Sequence, residues 1–205
     1  MYIFGHLGCG LYFSKKVVTH ISQKYQPNND FRTYGFGWLI IGCLAPDLID
    51  KPLHLLNNLL PVSLPAINGD KSIGHTIIFA FVIFLASKWK TSYAGQLFSV
   101  GIGSHIILDL VSDISVSLMG TNSYSFNISS LHLPNIASYF WPVLTFEFPE
   151  SSQATIGDYW KGILNPLLII YEIIGFILFS TTIAKNRFNP CAWLNQLSKR
   201  LHLRM

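Results

Sequence analysis

Apolar residues run almost unbroken through five stretches of the chain, and polar residues collect between them. The longest stretch, Gly162 to Ala184, has Pro166 near its start and Glu172 as its only charge. It has the roughly 20 residues that a bilayer-spanning helix needs. Ala94 to Val111 is nearly as long and contains His105 and Asp109. His75 to Ser87 and Tyr34 to Leu44 are shorter, and Tyr2 to Phe13 is too short to span on its own. The pattern predicts an all-α, multi-helix membrane protein with about four to five membrane-embedded helices. Pro46 is expected to end the Tyr34–Leu44 helix, because proline lacks an amide hydrogen and restricts the residue before it. Leu53 to Leu64, broken by Pro61 and Pro65, reads as a short interfacial helix. Asn68-Gly69-Asp70 reads as a turn, Lys88 to Ser92 as a tight connection and Gly120 to Ser130 as a loop.

Composition agrees with a membrane setting. Half of the 205 residues are hydrophobic, 12% are charged, and the mean hydropathy is +0.40. Soluble domains carry about 25% charged residues. The net charge of +4 is small and dispersed, which gives no case for nucleic-acid binding. Placing Lys and Arg on the cytoplasmic side sets a multi-pass topology in which the Gly162 helix runs inward. Only Lys51, Lys71 and Lys161 then lie outside, of 14 basic residues in all. Residues 113–160 contain no Lys or Arg and are expected outside, with the aromatic, acidic stretch from Trp141 to Pro149 suited to the membrane interface. Residues 1–184 are expected to form one membrane-embedded domain in the cell membrane, and 185–205 a basic cytoplasmic tail. Cys9, Cys43 and Cys191 are far apart, with no metal-binding spacing and no disulfide framework.

Within this apolar background a few polar residues stand out. His105 and Asp109 are four apart and share one face of a helix. An imidazole and a carboxylate among Ile, Leu and Val are costly to bury without a partner. A divalent metal would satisfy both; a hydrogen bond tying two helices together is the other reading. The charge-derived topology brings Asp47, Asp50 and His75 to the same outer level as this pair, and His6 can join them. A metal site at the outer ends of the helices is therefore expected. Glu172 is read as a polar partner between helices. No nucleophilic Ser or Cys is indicated, and Gly101-Ile-Gly-Ser104 has no following Lys to make it a phosphate loop.

Five motifs carry a family resemblance. They are Gly5-His6-Leu7-Gly8, Leu44-Ala-Pro-Asp-Leu-Ile-Asp-Lys-Pro-Leu53, Ser72-Ile-Gly-His-Thr76, Gly103-Ser-His-Ile-Ile-Leu-Asp109 and Trp141-Pro142. In this order they resemble the YdjM family of membrane-bound proteins, a domain-of-unknown-function group read as metal-dependent hydrolases. The arrangement is also similar, more distantly, to the ligand set of zinc-dependent phospholipase C enzymes. The resemblance implies His6, Asp47, His75, His105 and Asp109 as metal-ligand positions. It departs at two places. Asp70 stands where many members have a second His, and the second carboxylate of the Pro-Asp motif, Asp50, is shifted by one residue.

Two functions follow. One is a hydrolase in which one or two Zn²⁺ or Mn²⁺ ions activate water, with Asp50 or Asp70 as general base. Membrane lipid and a small-molecule or lipid substrate, such as a phosphoester or lipid head group, are its expected partners. The other is a non-enzymatic membrane protein whose His/Asp cluster is a structural metal site or an interhelical polar network.

Overall fold

The computed structural model describes residues 3–25, 30–59, 71–119, 138–143, 166–186 and 189–202. These residues are helical apart from short turns, as the hydrophobic pattern predicts. The helices are α1 (Ile3–Tyr25), α2 (Asp30–Leu59), α3 (Ile77–Trp89), α4 (Tyr93–Met119), α5 (Pro166–Asn186) and α6 (Pro190–His202), with a 3-10 turn at Ile73–His75 before α3. The expected turn at Asn68–Asp70 and the loop at Gly120–Ser130 lie outside the described residues.

Helix α4 is the hub. It packs along α2 and also against α1 and α3, while α5 lies chiefly against α1. Close approach of α2 and α4 depends on Gly42 and Gly101. A Cβ on Gly42 would run into the Phe98 carbonyl, and one on Gly101 into the Leu39 carbonyl and the Cys43 amide. The crossing therefore brings backbone against backbone. Ala45, Ile102, Ile106 and Tyr139 pack beside it, and Leu11, Phe36 and Leu39 form a second cluster toward the other end.

One feature differs from the sequence expectation. Helix α2 does not end at Pro46; it continues through Pro46 and Pro52 to Leu59. Pro46 removes one amide donor, that of the bond to the Gly42 carbonyl. Membrane helices tolerate such a loss when neighbouring groups re-satisfy the backbone. Asp47 and Asp50 consequently sit on the helix itself, three residues apart, rather than in a loop beyond it. The residues expected as a tail contain α6, whose Trp193 is buried against Trp38 and Gly37 of α2.

Beside the apolar clusters, several ionisable groups are buried and many large apolar side chains face outward. His6, Asp50, His75, His105 and Asp109 are buried, while Phe81, Val82 and Leu85 of α3, Ile107 and Val111 of α4, and Ile170, Ile173 and Ile177 of α5 are exposed. Among the described residues one segment, Tyr93–Ser115 of α4, is long and apolar enough to cross a membrane. Its 23 residues rise about 34 Å, against a hydrocarbon core of about 30 Å. The α3 helix is apolar but shorter.

Candidate metal centre

Each candidate side chain is held by a local device. Asp50, fully buried on α2, lies under the turn that precedes α3. Three backbone amides converge on its carboxylate: Ser72 at 2.8 Å, Gly74 at 2.9 Å and His75 at 3.2 Å. Successive amides aimed at one anion form a nest, a backbone concavity suited to negative charge. Gly74 fits closely there: a Cβ would lie 3.0 Å from both Asp50 Oδ1 and the Pro46 carbonyl oxygen, so its neighbours would have to give way. Asp50 Oδ2 also accepts from His75 Nδ1 at 2.6 Å. Thr76 then caps α3, its hydroxyl accepting from the Phe79 amide at 3.1 Å.

His105 is oriented in the same way by a different acceptor. Its Nδ1 donates to the Cys43 carbonyl oxygen at 2.6 Å, across the Gly42–Gly101 crossing. Cys43 thus contributes through its backbone, which no side-chain motif reveals. With both Nδ1 atoms donating, the two Nε2 atoms face each other at 3.3 Å. Two imidazole lone pairs cannot be held that close without a cation between them, either a proton or a metal ion. Burial alone would lower the pKa of His75, but the carboxylates of Asp109 and Asp50 outweigh it and push it up to about 9.

Asp109 completes a triangle. Its Oδ2 lies 3.4 Å from His75 Nε2 and 3.6 Å from His105 Nε2. Zinc bonds of about 2.0–2.2 Å in tetrahedral geometry give ligand-to-ligand edges of about 3.3–3.6 Å. The three observed edges fall in that range. Asp47 Oδ1 lies 3.8 Å from the same His75 Nε2. Asp109 Oδ2 and Asp47 Oδ1 are both buried atoms that make no hydrogen bond; each faces a lysine ammonium instead, Lys71 at 3.7 Å from Asp109 Oδ2 and Lys51 at 3.4 Å from Asp47 Oδ1. The donor set, two imidazoles and two carboxylates, suits Zn²⁺ or Mn²⁺.

His6 reaches the cluster from α1. Its Nε2 donates to Asp109 Oδ1 at 3.0 Å and its ring stacks on His105 at 4.2 Å. Ligand atoms of His6, His105 and Asp109 lie within 4.8 Å of one another, as do those of Asp47, His75 and His105. The two groups share His105, which has a single nitrogen to offer once Nδ1 is engaged with Cys43.

The structure thus assembles His6, Asp47, Asp50, His75, His105 and Asp109; Asp70 lies outside the described residues. It adds three residues not anticipated as site members. Lys71 Nζ lies 2.8 Å from Asp113 Oδ2, 2.8 Å from the Tyr139 hydroxyl and 3.7 Å from Asp109 Oδ2. Tyr139 donates to Asp113 at 2.7 Å. Asp113 is one further helical step along the His105–Asp109 face, a spacing visible in the sequence. Lys71 and Tyr139 carry no such signal, since they come from separate segments. Asp47, Lys71 and Asp113 are the more open members of the cluster, with side chains 18–27% exposed against 5% or less for His6, His75, His105 and Asp109.

Neither a curated protein nor a solved structure shows significant similarity to the chain. A family model described as YdjM inner membrane protein matches residues 1–187, spanning every motif on which the resemblance rested. The match covers all the helices that build the cluster, and the chain belongs to the YdjM inner membrane protein family.

Proposed function

We propose that the chain is a membrane-bound, metal-dependent hydrolase with one divalent ion held by His75, His105 and Asp109. The observation that carries this reading is the pair of Nε2 atoms facing each other at 3.3 Å, with the buried Asp109 Oδ2, which makes no hydrogen bond, 3.4 Å and 3.6 Å from them. A bound Zn²⁺ would supply a nucleophile at neutral pH by lowering the pKa of water to about 7. Catalytic zinc sites use three protein ligands and keep one position open, which matches three close atoms and a more distant Asp47.

In this reading Asp50 is not the general base. Its oxygens already accept four hydrogen bonds, so it positions His75. Asp47, at the more open edge and ion-paired through Oδ1 with Lys51 at 3.4 Å, would take up the proton of an incoming water; Asp70 is the alternative for that step. His6 holds Asp109 through Oδ1. The more exposed edge carries Lys71, paired with Asp113 at 2.8 Å, whose ammonium would have to be shared with an anionic phosphoester or lipid head group approaching from the bilayer surface.

Elemental analysis of detergent-purified protein tests the reading. About one Zn²⁺ or Mn²⁺ per chain is expected, falling to a small fraction in His105→Ala. Wild-type protein without stoichiometric metal, or a His105→Ala variant that keeps it, would overturn it.

The burial of His75, His105 and Asp109, each at most 3% exposed, favours a second reading, a closed structural metal site. Asp47→Asn separates the two. Loss of a general base lowers turnover of phosphoester substrates roughly 10²–10⁴-fold while metal is retained. A structural site using Asp47 as fourth ligand would lose metal instead.

A further inference from the structure

Glu172 is the one acid in an otherwise apolar helix, α5, and the proposed chemistry does not use it. Its two oxygens accept separate backbone amides of α1: Phe4 to Oε2 at 3.1 Å and Gly5 to Oε1 at 3.1 Å. These amides belong to the first turn of α1, where four N–H groups have no partner inside the helix. A carboxylate there satisfies donors and opposes the positive end of the helix dipole. Hydrogen bonds to an ionised acceptor are about twice as strong as neutral ones. The residue after this clamp is His6. Around it, Gly8 and Gly175 bring the two backbones together, since a Cβ on Gly8 would run into the Gly175 carbonyl. Phe4 packs edge-on against Phe176 at 5.2 Å, and Tyr171 stands edge-on to the His6 ring at 6.3 Å.

We infer that Glu172 is the positioning residue for His6: it fixes the first turn of α1 so that His6 Nε2 holds Asp109 Oδ1. The importance of His6 to the metal rests on the function proposed above; the clamp itself does not. A hydrogen-bond partner one shell out from a ligand typically governs metal affinity by 10–100-fold. Glu172 acts on such a partner from one step further away, at a site otherwise assembled by α2, α4 and the turn before α3.

Two measurements on the full-length protein in detergent test this. The first uses metal-free protein and diethyl pyrocarbonate, read by mass spectrometry at each histidine. His6 is buried in the wild type. In Glu172→Ala its carbethoxylation is expected to accelerate about tenfold, reflecting loss of two charge-assisted hydrogen bonds, while His75 and His105 stay protected. Glu172→Gln, which keeps the side-chain volume and one acceptor oxygen, is expected to fall between wild type and Glu172→Ala. Unchanged protection of His6 in Glu172→Ala would overturn the inference. So would equal acceleration at all three histidines, which is the mark of general loosening.

The second measurement titrates Co²⁺ and follows its visible absorption. Glu172→Ala and His6→Ala are each expected to weaken binding about tenfold and to alter the spectrum alike. The double variant should be no weaker than His6→Ala alone, because both changes break one linkage. Multiplying losses would overturn the inference. A wild-type protein that binds no Co²⁺ contradicts the hydrolase proposal and leaves the clamp to be judged by the first measurement.

Discussion

At the residue scale, the site depends on second partners that aim the imidazoles. Asp50 receives three amides and one imidazole N–H, so Asp50→Asn turns an amide donor toward other donors. Removing one partner of a buried charged pair costs about 3–5 kcal/mol, and losing an outer-shell partner weakens metal binding roughly 10–100-fold. Thermal unfolding and metal titration of Asp50→Asn would show both losses; a variant as stable as wild type contradicts the nest. His75 gives a pH dependence with a definite sign. Its pKa rises from 6.5 to about 9 in the metal-free fold. The stability it contributes is therefore full below pH 6.5 and is lost as pH rises through about 9. Metal must displace that proton, so affinity should climb about tenfold per pH unit up to about pH 9. Unfolding curves in chelator and Co²⁺ titrations across this range check the two opposite trends. Much of this was legible in the sequence. His6, Asp47, His75, His105 and Asp109 stood out as polar residues in apolar stretches. The role of Asp50 was not legible, because acceptance by three backbone amides leaves no mark on residue type. The Cys43 carbonyl was hidden for the same reason.

At the element scale, hydrophobic runs located the cores of the helices and mislocated their ends. Helix α1 extends to Tyr25 and α2 from Asp30 to Leu59, where apolar length alone predicted shorter pieces. Pro46 misled because its local cost is offset by tertiary packing, which residue-by-residue propensity does not include. The Gly42–Gly101 crossing is the element-level device that matters most to the site. It sets the distance between the Cys43 carbonyl and His105. Gly101→Val would force α2 and α4 apart, and overpacking of this kind costs typically about 1–3 kcal/mol. Unfolding in detergent should report that loss, together with weaker metal binding as His105 loses its acceptor. Unchanged metal affinity in a destabilised Gly101→Val protein would show that His105 is aimed by something else.

At the scale of the whole molecule, the buried ionisable groups and exposed aliphatic side chains call for a nonpolar surround. Helices α3, α4 and α5 all expose large apolar side chains, and large exposed apolar surface is what soluble monomers keep small. The protein should remain in the membrane fraction through high salt and alkaline carbonate and leave it only with detergent; release by salt alone would contradict this reading of the surface. Hydropathy made the membrane setting legible from the start, and the structure brings together residues of α1, α2 and α4 that stood out as polar in apolar stretches. That α5 would lie against α1 was not legible. The contact joins segments far apart in the chain through glycines and a single carboxylate, and no periodic pattern encodes it. The clamp between Glu172 and the first turn of α1 spans 167 and 168 residues, so it can close only after α5 has been synthesised. Closing a loop of that length costs chain entropy before the contact rewards it. The histidine that leaves the ribosome first is then the last of the cluster to be locked in place, and the centre reaches its final form only when α5 arrives.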